Sequence, residues 1–137
     1  MIHNNHYFVM TVIMILAGSL STMNVWADKL DDIRFSLNDV YMILLMTGWM
    51  LFFMGIYYNH FGAGLFGLVL VIVNLWAIRT QAFITTGQFV TGMIPHHSMA
   101  IHMSKRLREK GTPLREFADE IIATQEKEIA FMKSYYV

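Results

Sequence analysis

Two long stretches without a formal charge decide what this chain can fold into. Residues 1–27 and residues 40–78 contain no Asp, Glu, Lys or Arg. The second stretch is 39 residues long, and a soluble helical core of that length would have nothing to place on a wet face. A helix crossing a bilayer needs roughly 20 mostly apolar residues. In hydrocarbon such a run has to satisfy its own backbone hydrogen bonds, which a helix does. Three runs qualify, at about 7–27, 37–58 and 61–78, with Asp39 just inside the second and Arg79 closing the third. The link around Asn59, His60 and Gly62 is short, so spans two and three are predicted to form an antiparallel hairpin. Trp26, Tyr57, Tyr58 and Trp76 fall near the predicted ends, where amphipathic rings favour the membrane interface. Val25-Trp26-Ala27 resembles a cleavage site. However, the segment Met1 to His6 has no Lys or Arg, and the apolar run is longer than a signal core of about 7–15 residues. The first run is therefore read as a retained span.

Composition narrows the remaining classes. Only 15% of the 137 residues are charged, against about 25% in a soluble domain. With 55% hydrophobic residues the chain is not of the disordered type. Ten basic residues balance ten acidic ones, so there is no basic excess for nucleic acid. Without cysteine there is no disulfide, thiolate metal site or thiol nucleophile. Lys29, Arg34 and Arg79 flank the spans, and the positive-inside rule places them and the tail in the cytoplasm. Cleavage at Ala27 would favour the opposite side for the tail, so that side stays open.

From Arg79 onward the chain carries eight basic and six acidic residues. Residues 80–92 read as a linker or helix start and residues 93–137 as a helical hairpin. The first hairpin helix is predicted at about 93–110. Gly111 suits the left-handed position past a helix end. Thr112 suits an N-cap and Pro113 the first helical position, and the second helix runs to about Tyr135. The predicted class is all-α: a membrane domain over 1–79, then the hairpin.

On the first hairpin helix Met93, His96, Ala100, Met103 and Leu107 form a stripe spaced 3, 4, 3, 4, flanked by His97, Met99 and Ser104. On the second, Leu114, Ala118, Ile121, Gln125, Glu128 and Met132 are spaced 4, 3, 4, 3, 4. Such stripes pack helices along their length. Counting from the turn sets Leu107 near Phe117, Met103 near Ile121, Ala100 near Gln125, His96 near Glu128 and Met93 near Met132. His102 points away and reads as solvated. Imidazoles, thioethers and one carboxylate thus converge far from the turn. Thioether with imidazole suits copper, above all cuprous copper. Imidazole with carboxylate suits zinc or iron. The candidate ligands are His96, His97, Met93, Met132, Met99, Met103 and Glu128, with Gln125 and Glu128 able to orient the rings. The plain alternative is that Met fills a core and a buried His facing a Glu is a satisfied polar pair. Ser98 has no evident acid partner in sequence and no substrate pocket is indicated, so neither an enzyme nor a small-molecule substrate is expected.

The stretch Met93-Ile94-Pro95-His96-His97-Ser98-Met99-Ala100-Ile101 resembles the family called domain of unknown function 305. That family's mark is Met-x-x-His-His-x-x-Ala-Ile on one helix and Gln-x-x-Glu-Ile-x-x-Met on the next, matched by Gln125, Glu128, Ile129 and Met132. The similarity covers about residues 89–136. It implies a ferritin-like helical fold, of which this chain holds half, and copper binding through Met93, His96, His97 and Met132. A membrane-anchored branch is similar in carrying hydrophobic spans ahead of one hairpin. Many soluble members carry the motif twice and have an acidic residue near the position of His102. A single copy implies that a second subunit completes the metal shell.

In the membrane part Met42, Met46, Met50 and Met54 recur every four residues, with Met10 and Met14 placed to face them. This pattern fits either a thioether path for soft metal or packing between helices. Gly48, Gly55, Ala63 and Gly67 allow close helix approach, and Asn74 is expected to bond across helices. The reading is a multi-pass protein in a lipid bilayer whose hairpin stores, delivers or detoxifies copper. The competing reading is a non-catalytic interaction module whose His, Glu and Gln residues only fix packing.

Overall fold

The computed structural model describes residues 2–135, with side chains from Asn5 onward. Residues 136–137, at the end of the expected hairpin domain, lie outside the described residues. Five α-helices follow in order: α1 (Ile2–Leu20), α2 (Leu37–Tyr57), α3 (Phe61–Thr80), α4 (Thr86–Glu109) and α5 (Arg115–Ser134). Two short 3-10 turns, Met23–Trp26 and Leu30–Asp32, lie between α1 and α2. No strand occurs among the described residues, as the all-α reading anticipates. Three segments are long and apolar enough to cross a membrane: Asn5–Trp26, Leu37–Tyr57 and Phe61–Thr80.

The helices divide into two compact units. One holds α1, α2 and α3. There α2 and α3 pack backbone to backbone through glycine. A β-carbon added at Gly55 would lie 2.3 Å from the Gly64 nitrogen, and one at Gly67 would lie 2.4 Å from the Phe52 nitrogen. Gly18 admits the side chains of Ile43 and Met46 in the same way, so α1 rests on α2 there. Asn74 is buried, but it differs from expectation. Its amide donates to the Leu70 carbonyl of its own helix at 2.8 Å instead of crossing to a neighbour, because four residues back is the acceptor that a helical Asn reaches without a partner helix.

The second unit holds Met23–Ser36 together with the chain from Thr85 onward. Here the expected linker is mostly helix, since α4 begins at Thr86 and not near Met93. Thr85 caps it, its hydroxyl accepting from the Gln88 amide at 3.3 Å. Thr85 with Gln three residues on is a helix-start signature that the glycines at 87 and 92 obscured. Pro95 consequently sits well inside α4 and not in its first turn. Gly111 takes the left-handed conformation, φ 72°. Thr112 caps no helix: its hydroxyl accepts from the Leu114 amide, and α5 starts at Arg115. Val90, Ile94, Ile101, Ile129 and Met132 form the core between α4 and α5, with Met93 and Ile122 against it.

Candidate functional site

The buried side of α4 is Val90, Ile94, Pro95, Ser98, Ile101 and Ser104, not the stripe through His96, Ala100 and Met103. The cause is a third neighbour. Met23–Ser36 packs along α4 beside α5 and makes contacts of its own with it. The buried arc therefore widens and its centre turns toward Ser98.

This rotation exchanges the two histidines. His97, not His96, meets α5: its Nε2 lies 2.9 Å from Glu128 Oε2, with the His97 side chain 12% exposed. Its Nδ1 lies 2.8 Å from the Met93 carbonyl. A carbonyl only accepts, so Nδ1 carries the proton and donates, and the ring orientation is fixed from within α4. His96 is exposed, its ring centre 6.0 Å from that of His97. Met93 and Met132 share the core cluster, as the counting from the turn predicts. Met99, two residues after His97, points about 200° around the helix from it. Met103 is more than half exposed and about 9 Å further along the axis. The structure thus pairs His97 with Glu128 and packs the Met93 and Met132 side chains in the apolar core, and it leaves His96 and Met103 exposed. Among the described residues no three or more His, Asp or Glu side chains come close enough to hold an ion together.

A second polar group went unseen in the sequence. Ser98 is fully buried and does have an acid partner, 66 positions upstream. Its hydroxyl donates to Asp32 Oδ2 at 2.6 Å and accepts from the Asp28 amide at 2.8 Å. The other carboxylate oxygen of Asp32 lies 2.7 Å from the Lys133 ammonium of α5, and Lys133 also holds Asp31. Asp28 pairs with Lys105 of α4 at 2.7 Å. Asn24 ties the segment to itself, donating to the Arg34 carbonyl and accepting from the Arg34 amide. The Lys133 hydrogen bond holds the Asp31 carboxyl below its ordinary value of 3.8. Asp31 and Asp32 together push Lys133 above 10.5. The only sequence signal for this group is three acids, Asp28, Asp31 and Asp32, in a short connection whose basic partners stand on two distant helices.

Comparison with known proteins is consistent with the motif. The model of the family described as Domain of unknown function (DUF305) matches residues 74–136. The chain is 44% identical over 139 residues to the uncharacterized protein L153 of Acanthamoeba polyphaga mimivirus, covering 96% of this chain and 91% of that one. No solved structure matches.

Proposed function

The chain belongs to the DUF305 family, whose description assigns no function, and on its site we propose a multi-pass, membrane-anchored protein that binds a soft metal ion, copper above all, without turnover. The observation that carries the reading is the fixed ring of His97. With Nδ1 donating to the Met93 carbonyl, the ring turns Nε2 toward a carboxylate oxygen 2.9 Å away. A proton between the two atoms makes an ion pair, and a metal ion bound by Nε2 would take that proton's place. No third His, Asp or Glu joins them among the described residues, and the proposed site takes its further ligands from thioethers. Met93 and Met132 lie in the adjoining core, and thioether with imidazole is the cuprous preference. The exposed His96 is a further donor beside them. Storage, delivery and resistance all use such a reversible site.

The test is a cuprous titration of the full chain in detergent under reducing conditions. His96→Ala with His97→Ala should abolish the tight phase. Glu128→Gln, which removes the partner of the ring, should weaken it ~10–100-fold. Unchanged affinity in the double variant overturns the proposal.

The same pair supports a second reading, in which the proton is the only cation and His97 joins α4 to α5 for packing alone. That reading is favoured by the hydrogen bonds at both ring nitrogens. It predicts a chain with His97→Leu and Glu128→Leu that folds normally and a wild-type chain indifferent to copper.

A further inference from the structure

α1 meets α2 along a narrow face. Among its described side chains only Tyr7, Met10, Thr11, Met14 and Gly18 are not exposed. The branched residues Val9, Val12, Ile13, Ile15 and Leu16 are all exposed. Burial alone is served as well by branched side chains as by thioethers, yet the helix turns the branched ones out and keeps Met10 and Met14 in. On α2, Met46, Met50 and Met54 are half-buried in the same way, whereas Met42 is 48% exposed.

Contacts at both ends fix the register of these two helices, which run antiparallel. At one end a β-carbon on Gly18 would lie 3.2 Å from Met46 Cε. At the other the His6 and Tyr58 ring centres are 6.0 Å apart. Between these anchors α1 steps by four residues through Met10 and Met14, and α2 through Met50 and Met54. Pairing Gly18 with Met46 and His6 with Tyr58 therefore sets Met14 level with Met50 and Met10 level with Met54. The two rungs are about 6 Å apart along the axis, a gap that flexible Met side chains close, so sulfurs from both rungs reach one point. Thr11 and Thr47, the threonines of α1 and α2, turn their hydroxyls back on their own helices, donating to the Tyr7 and Ile43 carbonyls at 2.8 Å each. Thioether sulfurs are what the middle of the seam offers a ligand.

We propose that Met10, Met14, Met50 and Met54 hold a cuprous ion between α1 and α2, in a site separate from the hairpin. Thioethers select cuprous copper, and a charge in an apolar setting needs several donors around it. Neutral sulfurs alone hold the ion more weakly than a shell with imidazole, so it fills after the hairpin site. The methionine run of α2 is thus half of a site shared by two helices, with Met42 outside it.

The seam shares no ligand with the hairpin, so its test starts from the full chain carrying His96→Ala and His97→Ala, in detergent under reducing conditions, with a coloured cuprous chelator as competitor. This chain should still take up cuprous ion, in a shell of sulfur without imidazole by X-ray absorption. Adding Met10→Leu, Met14→Leu, Met50→Leu and Met54→Leu, which nearly conserve volume, should abolish that uptake, whereas adding Met42→Leu should leave it unchanged. Isotope-labelled methionine methyl spectra of the histidine variant give a readout that needs no change in the seam. Cuprous ion should shift the Met10, Met14, Met50 and Met54 signals and leave that of Met42 in place. Loss of all uptake in the histidine variant, uptake that survives the four leucine substitutions, or methyl shifts confined to the hairpin methionines each overturns the proposal. Failure of the hairpin site shows differently, as an unsubstituted chain that lacks the tight phase but keeps the weaker one.

Discussion

At Ser98 one hydroxyl meets two demands, donating to Asp32 and accepting from the Asp28 amide, in a place no water reaches. Ser98→Ala leaves a buried carboxylate oxygen and the part-buried Asp28 amide without this partner, which should cost about 1–3 kcal/mol. Lys133→Met leaves the buried Asp32 charge without its cation and should cost about 3–5 kcal/mol. Guanidinium unfolding of the full chain in detergent measures both, and a loss below half a kcal/mol (about the noise of such series) would show that the Met23–Ser36 segment is not held this way. The same ions set a pH range. Asp31 is held below 3.8, so its contribution is present above that value and is lost as pH falls through the lowered one. Lys133 is held above 10.5, so its contribution is complete below that value and is lost as pH rises through the raised one. Trp26 reports the segment once Trp49 and Trp76 are replaced by Phe. Its fluorescence should be flat between the two limits and change outside them, and Lys133→Met should remove the alkaline transition. Among these side chains the motif was legible in the sequence as a pair of histidines. Which ring faces Glu128 was not, because that depends on the segment that turns α4.

Among the elements, the α2–α3 pair depends on how closely two backbones approach. Gly55→Leu or Gly67→Leu forces main chain against main chain and should cost about 1–3 kcal/mol or more. Gly62→Ala meets only the His60 ring at 3.5 Å and should be neutral. Thermal unfolding of the three variants in one detergent checks the contrast, and equal effects at positions 55 and 62 would contradict the packing. These glycines were legible as small residues at helical spacing, whereas Gly64 needed the coordinates. The ends of α2 and α3 were legible because charge and length fix them. The start of α4 was not, since two glycines and Pro95 read locally as a boundary, while the Thr85 cap and the packing of Val90 and Ile94 carry the helix through them.

Across the chain as a whole, helix content and the three apolar segments followed from where charge is missing. The make-up of the second unit did not. A short connection between two apolar helices joins residues that come some fifty positions later, and nothing in periodicity announces a contact of that range. That connection packs along α4, and it decides which histidine looks inward. The proposed function stands or falls on whether this inward ring and its neighbouring thioethers hold a soft metal. X-ray absorption of the purified full chain loaded with cuprous ion probes that directly. Both nitrogen and sulfur are expected in the first coordination shell, with the imidazole signal lost in the chain carrying His96→Ala and His97→Ala. A shell without sulfur, or one unchanged by those substitutions, would contradict it.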